Sequence, residues 1–129
     1  MLEPASLKLS KEVKMSNKYD RTVNAIKNKD YEFFKKNVHS DFMLIRESGL
    51  VSREDVLAYI EEMFNGDTIW LDFKCCYEDE DTLVWKDLVD VKSEKKRLLV
   101  TNCEAYKDGE IWRSMLNVKK VSKDIERIL

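Results

Sequence analysis

The sequence holds one proline, three glycines and one histidine among its 129 residues. So few glycines leave no glycine-rich loop to wrap backbone N–H groups around a phosphate. There is also no Gly-x-Ser-x-Gly turn to present a nucleophilic serine. The lone histidine, His39, sits where a helical segment ends, a place that suits a cation. It lacks the neighbouring nucleophile that a base of this kind would activate. The three cysteines, Cys75, Cys76 and Cys103, are an odd number without metal-ligand spacing. Adjacent strand residues point to opposite faces, so Cys75 and Cys76 do not grip one ion. All three are expected as reduced thiols acting as small apolar filler, with no metal and no cofactor.

No apolar run approaches the ~18 residues of a membrane span. The N-terminal stretch lacks the apolar centre of a signal peptide, so a cytoplasmic location is expected. Neither charge sign dominates: 23 Lys and Arg face 25 Asp and Glu, for a formal net charge of −2. These charges are interspersed rather than blocked, which disfavours a nucleic-acid partner.

What is present is a chain with 43% hydrophobic and 37% charged residues, the balance of one globular domain. Its clearest stretch runs from Leu98 to Val118, where two strand-like runs flank Asp108-Gly109. That dipeptide tolerates the positive φ a tight hairpin needs. The stretch also gathers Asn102, Glu104, Arg113 and Ser114 with Tyr106 and Trp112 between them.

Residues 1–15 read as an extension, either a loose tail or a short helix, and Met15 is an alternative start. Residues 16–120 form the domain. Ser16 or Asn17 is expected to cap a first helix bearing Tyr19, Val23 and Ile26 on one face. Asp30 caps a second, with Tyr31, Phe34 and Val38. A short strand over 42–47 ends at Ser48-Gly49. The Ser52-to-Asp55 stretch resembles a capping box and opens a third helix with Val56, Leu57, Ile60, Met63 and Phe64. Asn65-Gly66 is expected to close it with a left-handed cap.

From there the period changes to two. Ile69, Leu71, Phe73, Cys75 and Tyr77 alternate with polar or aromatic neighbours in a half-buried strand. Over 82–92 the alternation slips at Leu88, which predicts a bulge near Asp87. Residues 121–129 read as a tail or short helix. Helices first and strands after argue an α+β fold, a cone-shaped roll in which three N-terminal helices pack on a strongly curved antiparallel sheet.

Several residues carry a family likeness: Asn28-Lys29-Asp30 between the first two helices, Gly49 with Ser52-Arg53-Glu54, and Tyr106 to Ile111 around the hairpin turn. With these the chain resembles the nuclear transport factor 2-like superfamily, above all its small SnoaL-like and ketosteroid isomerase-like bacterial members. The resemblance implies a cone enclosing a pocket, and a range of roles from isomerase, cyclase or dehydratase to ligand binder or dimerisation module. It sets Arg46 where ketosteroid isomerase-like members carry their base, Asn102 at their second acid, and Tyr19 at their tyrosine.

Hairpin register decides which polar groups face that pocket. A two-residue turn sets Glu104 opposite Arg113. A three-residue turn with a bulge at Gly109 sets Glu104 opposite Trp112 and Asn102 opposite Ser114. The second is preferred, since it gathers Asn102, Glu104, Tyr106, Trp112 and Ser114 on one face. Glu104 is then the general acid or base, its pKa raised by apolar surroundings, and Asn102 an oxyanion donor. Tyr19, Trp70, Trp85, Tyr106, Trp112 and Ser114 are the expected ligand contacts. The plainer reading of Glu104 is a surface carboxylate paired with Arg113. Asp72 and Asp87 are secondary candidates, their plainer reading a carboxylate turned to solvent.

The function expected is thus binding of a small apolar or aromatic molecule, with acid/base chemistry as an extension. The alternative is a non-catalytic module that pairs with itself through a sheet face carrying Cys103, Ala105, Ile111 and Met115.

Overall fold

The structure is a computed structural model, and it describes residues 17–129. The extension over 1–15, the alternative start at Met15 and the cap at Ser16 lie outside the described residues. Three helices are followed or interleaved by six strands: α1 (Lys18–Lys27), α2 (Tyr31–Asn37), β1 (Val38–Arg46), β2 (Gly49–Ser52), α3 (Arg53–Asn65), β3 (Thr68–Glu78), β4 (Thr82–Val91), β5 (Lys96–Lys107) and β6 (Glu110–Val121). The strands form one curved sheet in the order β2-β1-β6-β5-β4-β3. All pairs are antiparallel except β1 with β6, which run parallel. The expected early strand is longer than the apolar run suggested and starts directly at the exit of α2. Arg53 smooths that junction, donating from Nε to the Val38 carbonyl (3.2 Å) and from Nη2 to the Lys35 carbonyl (2.8 Å).

Helix starts follow the caps only in part. Asp30 accepts from Phe33 N and Ser52 from Asp55 N. Asn17 makes no side-chain bond at α1. Glu78 of β3 does that work from across the fold, accepting from Lys18 N (3.1 Å) and Tyr19 N (3.3 Å). A carboxylate there also meets the positive end of the helix dipole. Helix α3 does not end in a left-handed cap: Gly66 has φ −97°. Its N–H reaches the Met63 carbonyl instead, in a tight last turn.

Helices and concave sheet face enclose a core of Ala25, Ile26, Phe34, Val38, Phe42, Leu44, Val56, Leu57, Phe64, Leu83, Trp85 and Ile111. Aromatic rings fill much of it: Phe64 meets Phe34 and Trp70 at 5.9 Å each, and Phe73 stacks on Trp85 at 6.3 Å.

The bulge expected near Asp87 lies elsewhere. β4 pairs with β5 without a shift, and the irregularities fall on β3, at Leu71 and at Cys76. Leu88 breaks the parity of β4 for a different reason. It points to the outer face yet is fully buried and stands apart from the helix-side core. Residues 122–129 cross that face without forming a helix. Arg97 Nη1 holds the Lys123 and Ile125 carbonyls (2.6 and 2.7 Å), and Asp72 accepts from Ile128 N (2.7 Å). Arg97 is itself set by a two-pronged pair with Asp90 (2.7 and 3.0 Å).

Elsewhere on the outer face a row of side chains is exposed among the described residues. Successive strand registers align Leu50, Ile45, Met115, Cys103, Val84 and Tyr77 in one row across all six strands. All but half-buried Val84 are exposed. The cysteines are therefore not core filler: all three are exposed free thiols.

Candidate functional site

Every second residue of β5 from Asn102 to Tyr106 points into the cone, because alternation on a strand leaves no other choice. The hairpin register is neither of the two expected. Asp108 (φ +55°) and Gly109 (φ +77°) form a two-residue turn, with Lys107 opposite Glu110 and Tyr106 opposite Ile111. A bulge follows on β6, which carries one extra residue before Arg113 pairs with Ala105. Glu104 consequently faces Ser114, and Asn102 faces Leu116.

That bulge separates the expected site residues. Ser114 is buried beside Glu104 and joins the inner face. Ile111, expected on the outer face, is in the core. Trp112 does not join it. Its ring lies against the Arg113 guanidinium (4.1 Å) and the Lys107 ammonium (5.2 Å), and its buried Nε1 has no partner. Arg113 does not pair with Glu104; it reaches Asp41, at the carbonyl (2.5 Å) and at the carboxylate (3.6 Å).

The inner polar groups form a file. Glu104 is half-buried as a residue, but its carboxyl is enclosed and accepts from Trp85 Nε1 at 2.9 Å. Desolvation pushes its pKa up to about 7, the Asp87 charge adds to the rise, and the indole bond opposes it. Asp87, only 7% exposed, is no solvent-facing carboxylate. It accepts from Trp70 Nε1 (3.1 Å) and from Asn102 Nδ2 (2.9 Å), and burial raises its pKa to about 6 despite both bonds. Among the described residues neither carboxyl has an ion-pair partner. Asn102 is not poised as an oxyanion donor, because its amide N–H groups serve Asp87 and, at 3.4 Å, the Trp85 carbonyl.

Tyr106 continues the file. Its hydroxyl bonds Thr22 of α1, and burial raises its pKa, with the neighbouring Glu104 charge adding to the rise. Thr22 is itself almost wholly buried and donates to the Lys18 carbonyl (2.8 Å). Tyr106, Thr22, Phe33 and Ile111 line a cavity of about 610 Å³, which also meets Lys18, Arg21 and Asn37 on the helix side and residues 107–109 of the hairpin. Smaller cavities along α1 and β3 have Tyr19 and Trp70 in their walls, at about 370 and 390 Å³. None of these three has Asn102, Glu104 or Asp87 on its wall. Tyr106 is the residue that both neighbours Glu104 and faces the largest one. Tyr19 packs on the core, and burial raises its hydroxyl pKa.

No protein-family model matches the chain, and no curated protein does. Solved structures do. An NTF2-like protein of unknown function from Mesorhizobium loti superposes with TM-score 0.67 at 11% identity, over 82% of this chain and 91% of that one. A steroid delta-isomerase from Pseudomonas aeruginosa gives 0.62 at 13%, over 82% and 80%. The chain has the nuclear transport factor 2-like fold. A candidate polyketide cyclase from Sinorhizobium meliloti shares this NTF2-like fold with TM-score 0.59 at 14% identity, over 73% and 87%. At such identities the likeness carries the fold alone. Arg46, at the base position of the isomerase-like pattern, is exposed on β1. Asp87 is the inner carboxylate that sequence reasoning ranked too low. Its flanking Trp85 and its place on an otherwise apolar parity were the available signals.

Proposed function

We propose that this protein binds a small apolar or aromatic molecule in the 610 Å³ cavity at the open end of the cone, and that Glu104 exchanges a proton with it once Tyr106 gives way. The observation that carries this reading is the carboxyl of Glu104: enclosed, without an ion-pair partner among the described residues, its pKa pushed up to about 7 by burial, and next to the tyrosine of the cavity wall. A general acid or base works best with a pKa near the working pH, and the cavity joins an apolar floor of Phe33, Tyr106 and Ile111 to a polar and charged rim, with room for a small organic ligand. Carbonyl-activated isomerisation, aldol-type cyclisation and β-elimination of water each use proton transfer next to a carbonyl, so this is the chemistry to try first.

The test is deuterium uptake in D₂O by small ketones bearing an acidic α-hydrogen, followed by NMR. The native protein should accelerate the exchange, and Glu104→Gln should lose ~10²- to 10⁴-fold of that acceleration. Equal rates with and without native protein would defeat the catalytic part. Binding of 2-naphthol, followed by its fluorescence, tests the ligand site separately.

A second reading is favoured by the outer face. Six aligned side chains from Leu50 to Tyr77 make an apolar stripe, five of them exposed among the described residues, and such a stripe suits a two-fold homodimer. The two readings are compatible, because they use opposite faces of the sheet.

A further inference from the structure

The 610 Å³ cavity is chemically divided. Phe33, Ile111 and the Tyr106 ring give it an apolar floor. On the helix side stands Arg21, one turn before Asn24 and one residue before the buried Thr22. Its Nη2 donates to Asn37 Oδ1 of α2 (3.2 Å), and its guanidinium lies over the Phe33 ring at 5.5 Å. The fork thus has one contact on α2 and one ring beside it. A guanidinium has five N–H donors, and the bond to Asn37 uses one. No carboxylate pairs with Arg21 among the described residues, although Glu80, Asp81 and Asp108 all stand on the same cavity. Of these acids, Asp108 reaches His39 Nε2 at 3.7 Å.

From this arrangement we infer that the ligand is an amphipathic monoanion, an aryl or alkyl carboxylate whose carboxylate docks on Arg21 while its apolar body lies on Phe33 and Ile111. The inference rests on the reading of this cavity as the ligand site, and narrows it. A planar guanidinium fork matches a carboxylate in two-point contact, a stronger contact than one between neutral groups. The cavity carries three acids against three cations, Lys18, Arg21 and Lys107, so a dianion such as a phosphate monoester finds no surplus of positive charge there. Cavity size agrees: about 610 Å³ lies in the usual range for a small organic ligand.

The experiment compares 2-naphthoate, 2-naphthol and naphthyl phosphate by fluorescence titration near neutral pH and low salt, against the native protein and Arg21→Gln. Arg21 is exposed on α1, so the variant is expected to fold. Naphthoate should bind at least about 10-fold more tightly than naphthol or the phosphate, and Arg21→Gln should abolish that preference. Equal binding of naphthoate and naphthol, or a preference that survives Arg21→Gln, overturns the carboxylate inference and leaves the ligand site standing. Tighter binding of the phosphate overturns the monoanion. Failure of all three to bind overturns the ligand-site reading, and this inference with it.

Discussion

Trp85 Nε1 donates to Glu104 Oε1 at 2.9 Å inside the cone, and on the neighbouring strand Trp70 Nε1 does the same for Asp87 at 3.1 Å. Each buried carboxyl is thus held by an indole rather than by a cation. An indole N–H can satisfy a lone pair but cannot repay the cost of burying a full charge. Both acids therefore keep their protons to higher pH than in water, to about 6 for Asp87 and about 7 for Glu104.

This makes stability fall with rising pH. Both folded-state values lie above those of the unfolded chain, so the folded protein binds more protons across the interval. The stabilisation is complete below the ordinary carboxylate range and is lost as pH rises through about 6 and then about 7. The cost at higher pH is on the order of 3 kcal/mol per group, the two titrating as a pair. Urea midpoints near pH 5 and near pH 8 should differ in the native protein. The double variant Asp87→Asn, Glu104→Gln should flatten that difference, and an unchanged slope would count against buried acids as its source.

Glu78 is predicted to matter more to α1 than any residue of the helix's own N-terminus. Glu78→Ala removes both acceptors at Lys18 N and Tyr19 N and should cost about 1–2 kcal/mol. Asn17→Ala, which loses no cap bond, should cost less. Denaturant midpoints compare them directly.

The exposed outer row predicts self-association. Sedimentation at micromolar concentration should give a dimer, and Met115→Glu, placing a charge near the middle of the row, should return it to monomer with the fold intact by circular dichroism. A native protein that stays monomeric throughout would dismiss this interface.

The tail over the outer face hangs on Arg97. Arg97→Met should free the Lys123 and Ile125 carbonyls, uncover Leu88 and raise amide exchange across residues 122–128. Protection there equal to the native protein's would show that Arg97 is not the anchor.

Much of this architecture was legible in the chain. Apolar spacing at Tyr19, Val23 and Ile26, the caps at Asp30 and Ser52, the change of period after Gly66, and the Asp108-Gly109 turn are local signals. Local backbone physics sets them, and three helices on a curved sheet follow. The site was legible only in part. Glu104 could be picked out because it stands on an alternating strand among aromatics. Its partner could not, because a one-residue bulge on β6 decides whether Ser114, Trp112 or Arg113 comes opposite, and a bulge depends on how the whole sheet curves. The capping of α1 by Glu78 was equally hidden, since some 60 residues separate donor from acceptor. Burial of Asp87 and Leu88 was settled by what covers each face: helices and aromatic rings on one side, the C-terminal tail on the other. Sequence thus determined the elements and their apolar faces. The tertiary structure alone decided which polar groups lost their water, because desolvation depends on neighbours distant in the chain.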